Sequence, residues 1–409
     1  MKKMMLWQTV MTFFILCIVN AASGAGLSDT GQDKCYDNSG EISCPTLETD
    51  EFYGQDAQYS SQNNFVPQSF TKLDENGIPL ADTAESWAMV RDNVTGLIWE
   101  VKTEINASEK YPWSDAVSYC ENLSIGNFSD WRLPTIEEFV SIADYGKNNP
   151  AINTEYFPNI QSGFYWSSEE VAGTFDAWYY NYANGTSAPK GIYYSYYTTA
   201  VRCGNSIPKP YVKENSNGTV TDFKTGLTWY VPDDTLRTWT EALDVCKNLT
   251  IANEDRSWRM PNIKELYSII QKRINIKDNT STSIAELFNI STSNLYWSST
   301  TNTDLMDSAL NCRGTSVLKQ AKSNSLFKSK TIAVTGGDYG TFAAKGDVNK
   351  DSKADLADAI TVLQICAGYD VFVDTYFGPD NINVDADTKI GLPEAIYVLQ
   401  EIAGLYHCN

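Results

Sequence analysis

The segment Thr95-Gly-Leu-Ile-Trp99 is written a second time as Thr225-Gly-Leu-Thr-Trp229. Three further segments recur in the same order: 113–123 as 239–249, 131–134 as 258–261, and 165–168 as 296–299. The distance between the two copies stays between 126 and 131 residues throughout. Four segments repeated at nearly one offset indicate a duplicated domain with small insertions in its loops.

Each copy carries the pattern of two short helices followed by strands. Apolar residues recur at helical spacing in both copies: Trp113, Ala116, Val117, Cys120 and Leu123, then Trp239, Ala242, Leu243, Cys246 and Leu249. A capping box follows in each copy, with Thr135 and Glu138 in the first and Asn262 and Glu265 in the second. Strand-like residues surround the Tyr-Trp-Ser-Ser segments. The predicted fold class is therefore α+β in both copies.

These four motifs together resemble a domain found in many bacterial exported proteins. That group includes the C-terminal domain of a collagen-like bacterial adhesin. The resemblance covers residues 67–205, which we call repeat 1, and residues 212–337, which we call repeat 2. It implies two tandem C-type-lectin-like domains, with a fold related to that of formylglycine-generating enzymes. The helical spacing of the tryptophans predicts that they lie in the core.

The composition excludes several classes of function. The chain has 409 residues, with 31 Lys and Arg against 51 Asp and Glu, and a net charge of -20. Such an acidic protein repels nucleic acid and anionic membranes, so neither is a predicted partner. The single histidine, His407, excludes His-rich zinc sites and argues against a Ser-His-Asp hydrolase. We therefore predict a protein that is not an enzyme.

The first 25 residues have the features of a secretory signal. Lys2 and Lys3 precede an apolar run at 11–19, and small residues follow at 21–25. The apolar run is too short and too interrupted for a membrane span. We predict a cleaved signal peptide, a secreted or cell-surface location and no membrane insertion. Residues 26–66 are polar and aperiodic, so we predict a weakly ordered leader.

The cysteines predict disulfide bonds. Once Cys17 is removed with the signal, eight remain, and they fall in pairs by domain: Cys35 with Cys44, Cys120 with Cys203, Cys246 with Cys312, and Cys366 with Cys408. A Cys120–Cys203 bridge would close a long loop and stabilise the protein by about 4–5 kcal/mol. The pairing of Cys246 with Cys312 stays open, because Cys312 lies one strand earlier than the position that matches Cys203.

An aromatic segment distinguishes repeat 1 from repeat 2. Residues 177–182, the turn signal Asn184-Gly185 and residues 192–197 predict a hairpin with alternate rings on one face. Exposed rings are flat platforms for sugars or protein partners, and the alternative is ordinary cross-strand packing. The predicted ligand-binding residues are Trp178, Tyr180, Tyr182, Tyr194 and Tyr196. Repeat 2 has lysines in place of these rings.

The C-terminal tail contains two loops with the ligand spacing of an EF-hand, which predicts Ca²⁺ as the cofactor. Each loop leads into a similar apolar helix. The first loop supplies Asp347, Asn349, Asp351, the Lys353 carbonyl, Asp355 and Asp358. The second supplies Asn383, Asp385, Asp387, the Lys389 carbonyl and Glu394.

This tandem of loop and helix resembles a dockerin module over residues 346–409. The resemblance implies a small all-α module that folds with calcium and docks onto a cohesin-like scaffold protein. The sequence as a whole thus predicts an exported, non-catalytic binding or adhesion protein. Its lectin-like domains would recognise a glycan or protein ligand, and its tail would attach it. The alternative is a component or accessory of a secreted polysaccharide-degrading assembly.

Overall fold

The computed structural model describes residues 27–60, 66–126, 128–202, 212–222, 225, 227–252, 257–270, 284–323, 326–336 and 360. The chain divides into two units, one of residues 1–24 with 340–409 and the other of residues 25–339. The predicted signal segment and both predicted calcium loops lie outside the described residues. All elements below belong to the unit of residues 25–339.

The leader and repeat 1 form three sheets and three helices. The leader holds β1 (Cys35–Tyr36), β2 (Glu41–Ile42) and α1 (Asp56–Ser60). One sheet of repeat 1, in the order β11-β5-β4-β3, contains β3 (Phe70–Leu73), β4 (Met89–Asp92), β5 (Ile98–Glu100) and β11 (Val201–Arg202). The other, in the order β6-β10-β7-β8-β9, contains β6 (Lys110–Tyr111), β7 (Phe164–Glu170), β8 (Asp176–Asn181), β9 (Thr186–Gly191) and β10 (Tyr196–Tyr197). The helices of repeat 1 are α2 (Trp113–Glu121) and α3 (Ile136–Ile142).

Repeat 2 has its two sheets and first two helices in the same order, which confirms the tandem duplication, although its described residues form no strands matching β6 and β10 and add a short third helix. Its first sheet, in the order β12-β13-β14-β18, contains β12 (Val212–Glu214), β13 (Val220–Asp222), β14 (Leu227–Tyr230) and β18 (Ala333–Gly336). Its second contains β15 (Tyr296–Thr301), β16 (Ser308–Arg313) and β17 (Ser316–Ala321). Its helices are α4 (Trp239–Lys247), α5 (Ile263–Ile270) and α6 (Ile284–Leu287). The predicted α+β class is confirmed.

Both predicted capping boxes are present. The Glu138 amide donates to the Thr135 hydroxyl at 3.2 Å, and the Thr135 amide donates to the Glu138 carboxylate at 2.8 Å. Asn262 and Glu265 exchange the same two bonds, each at 2.9 Å. Each box satisfies amides that the first turn of a helix leaves free.

The Arg of each Trp-Arg-x-Pro segment fixes this capping glutamate. Arg132 donates two hydrogen bonds to Glu138, at 2.8 and 2.6 Å. Arg259 donates two to Glu265, both at 2.7 Å, in a pair that is almost fully buried. A bidentate pair sets both distance and orientation. The motif therefore joins a strand to the start of the following helix in each copy.

The two repeats share one hydrophobic core. A single cluster of buried residues contains Phe139 and Tyr180 from repeat 1 together with Tyr267 and Leu310 from repeat 2. At the junction, the Ser187 hydroxyl of β9 donates to the Thr315 carbonyl at 2.9 Å and accepts from the Val317 amide at 2.8 Å. Each repeat also has a smaller core of its own on the other face of its sheet, against α2 or α4.

The expectation of a weakly ordered leader is wrong for residues 27–60. Thr30, Gln32 and Tyr36 are buried, and the predicted Cys35–Cys44 disulfide is confirmed. The Gln32 side chain exchanges two hydrogen bonds with the backbone of Thr301, each at 2.9 Å. Polar side chains are buried at acceptable cost when they are paired in this way. The leader lacks periodicity because it packs by hydrogen bonds rather than by an apolar face.

The predicted Cys120–Cys203 disulfide is also wrong, because Cys120 is a buried free thiol. Its Sγ lies 3.8 Å from the Thr199 carbonyl oxygen, and the matching Sγ of Cys246 lies 3.7 Å from the Ile332 carbonyl oxygen. Both copies therefore use this cysteine as a small core residue with a weak donor. Cys203 lies outside the described residues.

The open pairing of Cys246 with Cys312 does not form, since both thiols are free. Successive residues of a strand point to opposite faces. Ala309 of β16 therefore packs in the small core with Cys246, whereas Cys312 packs in the shared core on the other face. Cys366 and Cys408 lie outside the described residues.

Candidate ligand-binding site

The predicted hairpin of repeat 1 turns its first strand toward the core. Trp178, Tyr180 and Tyr182 do share one face, as the alternation predicts, but that face packs in the shared core. Tyr180 and Tyr182 are fully buried, and Tyr180 stacks on Phe139 with 5.4 Å between ring centroids. Trp178 is half-buried against the same core. The prediction that Tyr180 and Tyr182 form an exposed platform is therefore wrong.

The second strand of the hairpin also differs from the prediction. It is β9, which follows the turn directly, rather than residues 192–197. Gly185 closes the turn with φ of 73°, and a Cβ there would lie 2.4 Å from the Tyr145 ring. Only glycine suits that conformation and that space. Tyr196 and Tyr197 instead form β10, between β6 and β7.

Four rings form a continuous surface on the opposite face of this sheet, and we call Phe164, Tyr179, Tyr194 and Tyr196 the aromatic face. The Phe164 centroid lies 4.8 Å from Tyr179 and 5.1 Å from Tyr196. Tyr194 lies 6.4 Å from Tyr196. Phe164 is 40% exposed and Tyr194 is 42% exposed. The aromatic face therefore offers open rings at both ends of a packed row.

The sequence prediction included two members of this face and missed the other two. Tyr194 and Tyr196 lie side by side on this surface, and their role in binding stays a prediction, whereas Phe164 and Tyr179 were not predicted. The strand register places Phe164 and Tyr179 on this face. Tyr179 lies directly opposite Trp166, and Phe164 precedes Trp166 by two residues. All three therefore share one face of the sheet.

A groove continues the surface beyond Tyr196. Tyr111 of β6 lies opposite Tyr196 in register, and its ring stacks on that of Tyr119 with 5.5 Å between centroids. The space beside them is about 480 Å³. We call this the tyrosine groove, and its lining residues are Tyr111, Asp115, Ser118, Tyr119, Asn122, Leu123 and Ser124.

A buried polar network holds Tyr119 in position. The Tyr119 hydroxyl donates to Glu100, and the Lys102 ammonium donates to Glu100 and to the Tyr119 oxygen, both at 3.0 Å. Glu100 also accepts from the Ala200 amide at 3.0 Å. Burial and then the Glu100 charge raise the pKa of Tyr119 well above its usual range. Tyr119 is therefore a neutral, fixed wall of the groove.

Repeat 2 keeps the framework of this surface without most of its rings. In repeat 1 the Trp166 indole donates to the Tyr111 carbonyl at 2.9 Å, and in repeat 2 the Trp297 indole donates to the Arg237 carbonyl at 2.8 Å. The strand registers and this indole hydrogen bond show which positions of the two repeats correspond. Repeat 2 has Leu295, Asn311, Ser329 and Arg237 where repeat 1 has Phe164, Tyr179, Tyr196 and Tyr111. The fold does not require aromatic residues at these positions.

Among the described residues, no group of three or more His, Cys, Asp or Glu side chains is placed to hold a metal ion. No helix in that part of the chain is long and apolar enough to cross a membrane. The eleven predicted calcium ligands, Asp347 through Glu394, lie outside the described residues, so the calcium sites stay a prediction.

The model of the Lcl C-terminal domain matches the chain twice, at residues 88–202 and 218–334. These two matches cover more than half of the sequence. The chain belongs to the Lcl C-terminal domain family. Both Lcl C-terminal domains lie within the predicted repeats, and the aromatic face belongs to the first of them. No curated protein matches the chain.

Proposed function

We propose that this protein is an exported, non-catalytic binding protein whose first Lcl C-terminal domain holds a glycan on the aromatic face. Each repeat would be a C-type-lectin-like domain, and the two sheets and the matching helix pair in each copy, α2 with α3 and α4 with α5, support that fold. The dockerin-like tail, residues 346–409, would bind Ca²⁺ and attach the protein to a cohesin-like scaffold. One observation carries the proposal: repeat 1 has a row of three packed rings, Phe164, Tyr179 and Tyr196, where the same positions of repeat 2 hold Leu295, Asn311 and Ser329.

The chemistry of the surface favours a sugar over a protein partner. Aromatic rings bind flat apolar faces and lose little conformational entropy when they do so. The tyrosine groove adds the hydroxyl of Ser118, the amide of Asn122 and the carboxylate of Asp115 at the edge of these rings. A few polar groups beside an apolar platform fix the orientation of a small ligand. Sugar rings present both an apolar face and hydroxyl groups.

A glycan array with the full-length chain tests the proposal. Tyr179→Asn and Tyr196→Ser install the residues that repeat 2 uses, so these changes suit the fold. Phe327→Ser is the matched control, because Phe327 is a similarly exposed ring in repeat 2. We expect the wild-type protein to give glycan signals. Each repeat 1 variant is expected to lose these signals, and the Phe327→Ser control is expected to keep them. An array without signal, or with signals that survive both variants, would contradict the proposal.

A further inference from the structure

Three lysine ammonium groups lie over tyrosine rings around the aromatic face and the tyrosine groove. The Nζ atoms lie 4.4 to 4.5 Å from the ring centroids, which is the geometry of a cation–π contact. Such contacts form because the face of an aromatic ring carries partial negative charge. The three pairs are Lys102 with Tyr119, Lys110 with Tyr197, and Lys190 with Tyr194.

The tyrosine groove is open to a further positive group. The described residues that line it include the exposed carboxylate of Asp115 and no lysine or arginine. The Tyr111 hydroxyl donates to Glu109, which places a second carboxylate at the rim. Below the groove, the charge of Lys102 is compensated by Glu100 at 3.0 Å. The groove thus combines the Tyr111 ring with two carboxylates, and with no lysine or arginine among its described lining residues, inside an acidic protein.

We infer that the tyrosine groove binds the ammonium group of an amino sugar, so that the glycan is a polymer with free glucosamine units. This inference rests on the proposed function and names the substrate class of the same site. The ammonium would contact Asp115 and the ring of Tyr111, while neighbouring sugar rings lie along the aromatic face. An acetylated unit lacks the charge that these groups attract. A cationic peptide has the charge but lacks flat rings for Tyr179 and Tyr196.

Two hexamers that differ only in acetylation test the inference by calorimetry with the full-length chain. One is β-1,4-linked glucosamine at a pH where its amines are protonated, and the other is its N-acetylated form. We expect the glucosamine hexamer to bind about fivefold more tightly, because an exposed cation–π contact contributes about 1 kcal/mol. Added salt is expected to reduce that preference.

Two variants and one further probe assign the preference to the groove. Asp115→Asn is expected to remove most of the preference for glucosamine, because the glucosamine hexamer loses the contact with the carboxylate that the N-acetylated hexamer does not make through an ammonium group. Glu155→Gln removes an exposed carboxylate elsewhere in repeat 1 and is expected to change neither affinity. Equal affinity for both hexamers overturns the inference but leaves glycan binding intact. Binding of neither hexamer overturns both proposals, and a lysine hexapeptide that binds as tightly as glucosamine overturns the sugar class.

Discussion

The carboxylate of Asp56 accepts a 2.6 Å hydrogen bond from the hydroxyl of Thr300. That hydroxyl in turn accepts from the Ile263 amide at the start of α5, at 3.0 Å. In repeat 1 the matching position is Glu169, whose carboxylate accepts directly from the Ile136 amide at 2.9 Å. A carboxyl oxygen at this position satisfies, directly or through the Thr300 hydroxyl, an amide that the first turn of a helix leaves free. The leader therefore supplies to repeat 2 the carboxylate that repeat 1 carries in its own sequence.

This arrangement predicts a pH-dependent stability. Burial, with the nearby charge of Asp29, raises the pKa of Asp56 to about 7. The folded protein then keeps a proton that the unfolded chain releases above its usual pKa of about 4. The contribution of Asp56 to the free energy of unfolding is therefore largest below pH 4 and is lost as the pH rises to about 7. The loss is on the order of 4 kcal/mol.

Asp56→Asn removes this titration and tests the prediction. We expect the variant to gain stability relative to the wild type as the pH rises from about 4 to 8, measured by chemical denaturation at each pH. Comparing the two proteins cancels the contribution of Glu169, whose pKa is also raised to about 7, chiefly by burial. Asp33→Asn, at an exposed leader position, is the control. A constant difference between variant and wild type across this range would contradict the prediction.

The buried thiols predict a chemical protection pattern. Burial raises the pKa of Cys246 to about 12 and holds the pKa of Cys120 and Cys312 well above the usual range. Thiols that are both buried and protonated react slowly. We expect alkylation without reductant to leave all three unlabelled in the folded protein and to label all three after denaturation, as read by peptide mass spectrometry. A disulfide-linked peptide that contains Cys120 would show that the assignment is wrong.

Because Tyr180 is buried, its substitution is expected to lower the stability of the fold and to leave glycan affinity unchanged. Tyr180→Ala is expected to lower the free energy of unfolding by about 3–5 kcal/mol, because it removes a ring from the shared core. Tyr180→Phe loses only the hydroxyl contact with Tyr145, at 3.2 Å, and is expected to cost about 1 kcal/mol. Glycan affinity measured well below the melting temperature is expected to match the wild type in both. A large loss of glycan affinity in Tyr180→Phe would show that this ring belongs to the binding site.

Local patterns in the sequence predicted the duplicated fold. Spacing alone identified α2, α4 and both capping boxes, because a helix and its cap depend on residues within one or two turns. The alternation along β8 also correctly placed Tyr180 and Tyr182 on one face. It did not show which face is covered, because the cover includes Phe139 of α3, which no local pattern along β8 can indicate.

The cysteine pairing and the leader were mispredicted for a similar reason. An even number of cysteines in an exported chain favours disulfides, yet Cys120 sits in a small core where sulfur packs as an apolar atom. The leader has no apolar periodicity, and its order depends on distant groups. The Lys264 ammonium, for example, donates to the Ser28 hydroxyl at 2.9 Å and the Asp29 carbonyl at 2.7 Å. No pattern of neighbouring residues predicts hydrogen bonds to groups that are so distant in the sequence.

The two predicted calcium loops are expected to differ in their affinity for calcium. The first loop has four carboxylates and the second has three, so we expect Asp347→Ala to weaken calcium binding more than Asn383→Ala. Calcium titration of the full-length chain by calorimetry measures both. If the tail docks as proposed, a pull-down with the full-length chain is expected to recover a partner in calcium and to lose it in chelator. The opposite order of affinities would contradict this ranking of the loops, and recovery in chelator would contradict the dockerin-like assignment.

The affinity of a double variant tests the central claim most directly. Tyr179→Asn with Tyr196→Ser converts the centre of the aromatic face into its repeat 2 counterpart, and calorimetry against the best glycan of the array gives the dissociation constant. Removal of rings at a binding centre costs 2 kcal/mol or more, so we expect at least about thirtyfold weaker binding with a melting temperature close to the wild type. Unchanged affinity in this double variant would show that the glycan site is not the aromatic face.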